Sequence, residues 1–286
     1  MNIKLIFGAS FLLLVPIAGQ ASTTIVYTDN AANSAYASGY AGNGAGTPGF
    51  GAFSVATTTT GGGAAGTFIG SASATENGSV GGALDTAGKS FGTFANGNSG
   101  GVGDPSVTVS RAFNIADQPT GLVNTGDAFS LDFATGYNDG VAGTSGVSLT
   151  NSGGKVGSFF FQKQNGTSPE DFYFNGVDTL KGYSNGILHL TYTLTSATTY
   201  SFASTGAITY SGTGTYGSPI TGFLVQQTNS AGNNADHDAF FNNLSLTAAA
   251  APSLTAAPEP SQMAAISFMV LGLGGLLVRR RQMRVN

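Results

Sequence analysis

Short runs of alternating apolar and polar residues, separated by turn-forming pairs, dominate the sequence from Pro105 to Thr247. Successive side chains of a strand point to opposite faces, so this period of two predicts strands with one buried face. Asn-Gly and Asp-Gly pairs between the runs suit tight turns, because Asn and Gly adopt positive φ at low cost. The predicted strands are Ser106–Phe113, Ala128–Ala134, Val156–Gln162, Asp171–Phe174, Ile187–Leu194, Thr198–Ala203, Ala207–Tyr210, Thr221–Gln226 and Ala239–Thr247.

Many short strands, with no convincing amphipathic helix between residues 22 and 250, predict an all-β fold. Two antiparallel sheets can bury their apolar faces against each other, so the expected architecture is a β-sandwich or jelly-roll. In the first predicted strand, Val107, Val109 and Arg111 alternate with Thr108 and Ser110. The alternation therefore assigns a cation to the apolar face of that strand.

Alternation also assigns faces in the later strands. The leucines of Ile187–Leu194 fall on the buried face, and His189 falls on the polar face. In the last strand, Phe240 and Leu244 are expected to share a face with Asn242.

The region before Pro105 is rich in glycine and poor in apolar residues. Twenty of the 65 residues from Gly39 to Gly103 are glycine, a composition that is consistent with a partly disordered spacer. Spaced aromatic residues such as Phe50 and Phe53 favour short strands joined by glycine-rich turns instead. The sequence therefore predicts a weakly ordered β region over residues 22–104 and a β-sandwich domain over residues 105–247.

Charge and cysteine content exclude several functions. Thirteen of the 14 acidic residues precede Glu259, but only five of the ten basic residues lie outside the two terminal segments, which leaves about −8 on the central part of the chain. This negative charge opposes binding to nucleic acid phosphates. The chain has no cysteine, which excludes disulfides, thiol catalysis and thiolate metal sites.

Few residue clusters have the composition of a metal or catalytic site. Asp236-His237-Asp238 is the densest polar cluster, and its two carboxylates, Asp236 and Asp238, are candidate ligands for a calcium ion. The alternative is a solvated turn ahead of the last strand. Pairs of acidic residues such as Asp127 and Asp132 have the chemistry of a glycosidase, but their separation in space is not readable from sequence. With no nucleophile elbow or phosphate loop, we predict no enzyme, no catalytic residues and no cofactor other than calcium.

Aromatic residues suit either the core or a carbohydrate-binding surface. The runs Phe159–Phe161 and Phe172–Phe174 are strand-like, so one ring in two is expected between the sheets and the alternate rings partly exposed. Four tyrosines lie near Asn, Thr and Ser residues, a mixture that also suits contact with polysaccharide: Tyr173, Tyr183, Tyr192 and Tyr216.

The N-terminus has the composition of a secretory signal peptide. Lys4 supplies the positive region, Leu5 to Val15 is an apolar run too short to span a membrane stably, and Pro16 follows it. Small residues around Ala21 match the positions that a signal peptidase reads. We therefore expect residues 1–21 to be a signal peptide that is removed by cleavage after Ala21.

The C-terminus has three parts in a fixed order. After an Ala- and Pro-rich linker (residues 248–257) come Pro258, Glu259 and Pro260, an uncharged apolar stretch (residues 262–278), and Arg279, Arg280 and Arg281. The apolar stretch predicts one transmembrane helix, and the arginines are expected to hold the chain's end on the cytoplasmic side. Residues 258–286 resemble the PEP-CTERM sorting signal of Gram-negative bacteria. The resemblance implies that an exosortase recognises the Pro-Glu-Pro motif, cleaves nearby and passes the protein on.

These observations predict an exported surface protein. The resemblance implies residence in the inner membrane during sorting, then the cell surface or extracellular space, in association with exopolysaccharide and biofilm. The segment Asp238–Leu246 is also similar to the final strand of lectin-like sandwich domains that often precede such a tail. The alternative function is a secreted, lectin-like carbohydrate-binding module, which calcium could assist.

Overall fold

Fifteen strands pair antiparallel in two sheets within the part of the chain that the structure describes. The structure is a computed structural model, which describes residues 24–40, 46–59, 63–72, 81–97, 105–116, 118–138, 143–163, 170–184, 186–229 and 237–249. All of these residues belong to one unit, residues 23–250. The all-β class and the antiparallel two-sheet sandwich predicted from the sequence are confirmed.

The first sheet has eight strands. Its spatial order is β13 (Tyr210–Thr215), β12 (Thr199–Gly206), β11 (Leu188–Leu194), β6 (Ala128–Ala134), β15 (Ala239–Ala249), β4 (Ser90–Asn96) and β3 (Ala64–Gly70), and β1 (Thr24–Asp29) also pairs with β15. The second sheet has seven strands, in the order β10 (Val177–Gly182), β9 (Asp171–Phe174), β8 (Gly154–Gln162), β7 (Thr144–Asn151), β14 (Gly222–Thr228), β5 (Ser106–Asn114) and β2 (Gly49–Thr58). The described helical segments are a 3-10 turn, η1 (Ser34–Tyr36), and α1 (Gly81–Leu84).

Aromatic side chains fill the space between the sheets. Phe129 of β6 stacks on Phe223 of β14 with ring centroids 4.6 Å apart, and Phe202 of β12 stacks on Phe174 of β9 at 4.8 Å. All four rings are buried. Burial of each such side chain stabilises the fold by about 1.5–3 kcal/mol. The apolar residues whose alternation predicted the strands therefore also stabilise the packing of the two sheets.

The glycine-rich region contributes four strands to the same two sheets. β2 pairs with β5, whereas β1 and β4 pair with successive parts of β15. Phe53 and Phe91 from this region are both buried, with ring centroids 5.1 Å apart. The predicted boundary between residues 104 and 105 therefore falls within a single two-sheet unit.

Glycine has a packing role where β3 pairs with β4. Gly66 lies opposite Phe94, and Gly92 lies opposite Phe68. A Cβ atom at Gly66 would lie 2.7 Å from Cζ of Phe94, so the ring would have to move. Each ring therefore covers the glycine of the neighbouring strand, which compensates for the weak strand propensity of glycine.

The sequence missed or misplaced several strands. β7 is the central strand of the second sheet, but Val147 and Leu149 are the only large apolar side chains on its inner face, so its pattern was too weak to detect. β10 was also missed, because Val177 and Leu180 are exposed on a strand at the edge of the sheet. The strand predicted at Ala207–Tyr210 was wrong: the chain turns there, and β13 begins at Tyr210.

A β-bulge corrects the predicted faces of the last strand. The pairing of β15 with β6 shifts register between Asn242 and Ser245, and Asn243 has φ +50°. An extra residue reverses the alternation, because side chains of a strand have a period of two. Phe240 therefore packs against Leu84 outside the main core, whereas Leu244 points into it. The prediction that Phe240 and Leu244 share a face was wrong.

A buried ion pair joins the two sheets. Arg111 of β5 donates from Nη1 to Oδ2 of Asp29 at the end of β1, at 2.6 Å, and both side chains are fully buried. Oδ2 also accepts from Thr47 Oγ1 at 2.8 Å and from the Tyr36 hydroxyl. The guanidinium lies 4.3 Å from the ring centroid of Phe53. The partners of both charges are thus provided by the fold, as a buried ion pair requires.

Candidate functional site

The predicted targeting segments lie outside the described residues. This applies to the signal peptide (residues 1–21), to the Pro-Glu-Pro motif, to the transmembrane stretch (residues 262–278) and to the arginine cluster. β15 continues to Ala249, so the first two residues of the predicted linker belong to the strand. No helix among the described residues has the length and apolar character needed to cross a membrane.

The calcium hypothesis rests on one described and one undescribed carboxylate. Asp238 is buried immediately before β15, whereas Asp236 lies outside the described residues. Between them, Nδ1 of His237 lies 3.1 Å from the carbonyl oxygen of Tyr137, so that nitrogen is placed to donate a hydrogen bond. The described His, Asp and Glu residues form no group of three that could hold a metal ion. Calcium binding at Asp236 and Asp238 stays a prediction.

Several carboxylates have structural partners. Asp127 is buried and accepts hydrogen bonds from the backbone N–H groups of Asn124 and Ala249, at 2.8 and 2.9 Å. Asp132 lies opposite His189 in the sheet and accepts from it at 2.5 Å. Glu170 forms an ion pair with Lys163 at 3.2 Å. These groups stabilise turns and strands and do not converge on one cavity.

Burial disfavours the ionised form of the Asp171 carboxyl. The residue is buried at the start of β9, and desolvation, with a smaller contribution from the charge of Asp178, raises the pKa of its carboxyl. A raised pKa in a cleft can indicate a catalytic acid. Asp171 does not line the open cleft that β8, β12 and β13 form, so its raised pKa follows from its position in the sheet.

The tyrosines that the sequence singled out separate into two groups. Tyr192 and Tyr216 are buried, and Tyr183 packs against the core. Tyr173 lies on the outer face of the second sheet, directly opposite Phe160 of β8, and both residues are partly exposed. The expectation that one ring in two of each aromatic run faces the core is confirmed, since Phe159, Phe161, Phe172 and Phe174 are buried.

An open cleft with a volume of about 720 Å³ is formed by residues of both sheets. β8 of the second sheet forms one side, and β12 and β13 of the first sheet form the other. Exposed polar side chains line it above a floor that includes two glycines. The lining residues are Lys155, Val156, Gly157, Asn175, Thr195, Thr199, Tyr200, Thr213, Gly214 and Thr215.

A β-turn places Asn175 in this cleft. Asn175 and Gly176 connect β9 to β10 with φ values of +50° and +80°, so the Asn-Gly turn predicted there is confirmed. Oδ1 of Asn175 accepts from the backbone N–H of Ser158 at 3.0 Å, and Nδ2 donates to the Tyr200 hydroxyl at 2.9 Å. The amide is therefore fixed in orientation by β8 and β12.

Tyr200 forms the floor of the cleft. Its side chain is buried, and its hydroxyl accepts from Asn175 and from the backbone N–H of Gly157. Desolvation raises the pKa of Tyr200, so the phenol stays protonated at neutral pH. A Cβ atom at Gly157, where φ is +62°, would lie 3.2 Å from this ring, and one at Gly214 would overlap the hydroxyl. Glycine at both positions is what lets β8 and β13 approach Tyr200.

Lys155 provides the one charged side chain among the described lining residues. Its ammonium donates to Oε1 of Gln226 and lies 5.6 Å from the ring centroid of Phe160. Desolvation lowers the pKa of Lys155. The cleft therefore offers hydroxyl and amide groups, one ammonium and no described carboxylate.

No local sequence pattern indicates this cleft. Its residues come from four separate stretches of chain, and Thr, Gly and Asn at these positions resemble ordinary turn and edge-strand residues. The Asn175-Gly176 pair was the only local signal, and it indicated a turn. β13, which supplies three lining residues, was misplaced.

Comparison with known proteins identifies no family. No family model matches the sequence, and no curated protein matches it. Among solved structures, the chain is similar to the CBM2 module of the Lactobacillus casei BL23 phage J-1 evolved Dit protein, with 12% identity and a TM-score of 0.37 over 51% of this chain and 71% of the other.

Two further solved structures have the same level of similarity. A carbohydrate esterase from the Shiga toxin-encoding bacteriophage phi24B is 14% identical, with a TM-score of 0.34 over 68% of this chain and 90% of the other. Lectin I-B4 from Griffonia simplicifolia, in its metal-free form, is 11% identical, with a TM-score of 0.32 over 68% and 92%. At these identities and TM-scores the similarities assign no ligand or activity to this chain, so its site must be judged from its own residues.

Proposed function

We propose that this is an exported, non-enzymatic protein that binds polysaccharide through the cleft around Tyr200. The observation that carries the proposal is the lining: exposed Asn and Thr side chains from both sheets surround a glycine floor. Sugars present dense arrays of hydroxyl groups, and amide and hydroxyl side chains can donate to and accept from them. The cleft is also open, so a polymer can pass through it without a free chain end.

The absence of a carboxylate pair supports binding rather than hydrolysis. Glycoside hydrolysis uses two carboxyl groups on either side of the scissile bond. The described lining residues of the cleft include no Asp or Glu, and Asp127, Asp132 and Glu170 are engaged elsewhere. The Tyr200 phenol, whose pKa is raised, is not a base at neutral pH.

Removing hydroxyl groups from the cleft should weaken binding without unfolding the domain. Thr213 and Thr215 are exposed on β13, and valine keeps their shape and strand propensity. We expect Thr213→Val/Thr215→Val to lower polysaccharide affinity roughly thirtyfold, because two lost hydrogen bonds at about 1 kcal/mol each remove about 2 kcal/mol. The measurement is a glycan array that includes the matrix polysaccharide of the producing bacterium, followed by calorimetry on the glycans bound.

The matched control removes two exposed hydroxyls outside the cleft. Thr28→Val/Thr205→Val should leave affinity unchanged, and both double variants should melt close to the original protein. Equal affinity of the two variants would count against the cleft, and failure of the original protein to bind any glycan would count against the function.

We also propose that residues 258–286 deliver this domain to the cell surface as a PEP-CTERM-type signal. The supporting features are the order of the Pro-Glu-Pro motif, the uncharged stretch and the arginines. Such delivery would place the cleft among extracellular polysaccharides.

Deleting Pro258–Pro260 should keep the protein in the membrane fraction. An uncleaved apolar stretch with an arginine cluster behind it stays in the bilayer. Cell fractionation and intact-mass measurement of the surface protein would follow the change. Deleting Thr255–Ala257 removes three residues of the linker and leaves the motif, so this variant should reach the surface. Normal surface delivery of both variants would exclude the sorting role.

A further inference from the structure

Lys155 carries a positive charge that no described carboxylate neutralises. Its hydrogen-bond partner, Gln226, is a neutral amide, and its other close contact is the ring of Phe160. The described ion pairs involve Arg111, Lys163 and His189, but not Lys155. The rest of the domain is acidic, with about −8 on the central part of the chain. A lone ammonium therefore stands in the lining of a neutral cleft.

Two neighbouring side chains fix the position of the Lys155 ammonium. Phe160 supports it from one side, and the amide oxygen of Gln226 holds it from another. Both residues lie on the outer face of the second sheet, so the ammonium lies on that face, next to the cleft that Lys155 lines. Partial desolvation lowers the pKa of the Lys155 amine, and an anion bound beside it would favour the charged form.

We propose that the cleft selects an acidic polysaccharide, and that Lys155 binds the carboxylate of a uronic acid residue in it. This proposal rests on the proposed polysaccharide-binding function and names its substrate class. The Thr and Asn side chains of the cleft bind ring hydroxyls, which neutral and acidic sugars share. The ammonium adds an ion pair with the carboxylate of the acidic sugar, a group that a neutral sugar does not have. Phe160 and Tyr173 extend the surface with partly exposed rings, against which the apolar face of a sugar can pack.

The ligand pairs for the test differ only in charge. Tetramers of galacturonate, mannuronate and glucuronate are compared with their methyl esters, which keep every hydroxyl and the carbonyl group but lose the negative charge. Calorimetry on the full domain measures each affinity. We expect at least one acid to bind about tenfold more tightly than its ester, because a hydrogen bond between charged groups is worth more than a neutral one.

Two lysine variants locate the effect. Lys155→Gln should lower affinity for the acid about tenfold and affinity for the ester much less, so that the preference is lost, whereas Lys155→Arg should retain most of the preference. Lys181→Gln is the matched control, since it removes the same charge from an exposed position on β10 outside the cleft. It should leave both affinities unchanged.

The outcomes separate this proposal from the function on which it rests. Equal binding of an acid and its ester, or an unchanged preference in Lys155→Gln, overturns the uronate proposal and leaves polysaccharide binding intact. Loss of the preference in Lys181→Gln as well as in Lys155→Gln also overturns it, because long-range charge would then be the cause. If no acid, ester or other glycan binds, both proposals fall.

Discussion

Replacing Asp29 with alanine should destabilise the protein by about 3–5 kcal/mol, the usual cost of breaking a buried ion pair on one side. The substitution leaves the guanidinium of Arg111 buried without a counter-ion, and it removes the acceptor for the hydroxyls of Tyr36 and Thr47. A loss of this size is a large part of the stability of an ordinary domain. Urea denaturation, followed by circular dichroism, measures it.

Two controls show whether the buried charge is the cause. Glu170→Ala breaks the half-exposed pair with Lys163 and should cost less than about 1 kcal/mol. Asp29→Leu/Arg111→Met removes both charges and should recover part of the loss, because no charge is then left unpaired. If Asp29→Ala and Glu170→Ala lower the urea midpoint equally, the ion pair does not hold the sheets together as argued above.

Replacing Asn242 with leucine should cost about 3 kcal/mol, although the side chain keeps its size. Asn242 is fully buried at the bulge of β15. Its Oδ1 accepts from the N–H of Ala31 at 2.9 Å, and its Nδ2 donates to the carbonyl oxygens of Leu84 and Lys89 at 2.8 and 3.0 Å. Leucine leaves these backbone groups without a hydrogen-bond partner, and each such buried group costs about 1–3 kcal/mol.

The loss of stability caused by Asn242→Leu should be concentrated in one part of the molecule. Residues 84–89 are tied to the sheet by this amide and by the contact of Leu84 with Phe240. Hydrogen exchange in the leucine variant should therefore rise in that segment more than in β11. Asn114→Leu, at an exposed position at the end of β5, is the control and should change neither stability nor exchange. Uniform exchange across the two regions would contradict a local role.

Local pattern was enough to predict the strands with strong alternation. In β6 and β11, large apolar residues occupy every second position, so the alternation alone distinguishes the two faces. It failed in β7 and β13, where glycine, serine and threonine replace the apolar residues. β7 is hydrogen-bonded to a neighbouring strand on both sides, and β13 is hydrogen-bonded to one on a single side. These neighbours stabilise the two strands, and the residues of the strands themselves do not reveal them.

The candidate site was beyond sequence for the same reason. Tyr200 and Asn175 are 25 residues apart and meet only because the two sheets face each other. Alternation placed Arg111 on an apolar face, but it gave no indication that Asp29, 82 residues earlier, lies beside it. The bulge at Asn243 likewise exchanged the faces of Phe240 and Leu244, and a pattern with a strict period of two has no means of showing that.

By itself, the sequence determined the all-β class, the inward face of the strong strands and the Asn175-Gly176 turn, because these depend on side-chain alternation and on φ preferences of single residues. It also defined the terminal segments from which a sorting signal is proposed. Only the tertiary structure decided which strands are neighbours, where charges are buried and which polar side chains share a cleft. Those features depend on contacts between residues that are distant in the sequence. Such contacts form only when the two complete sheets pack against each other.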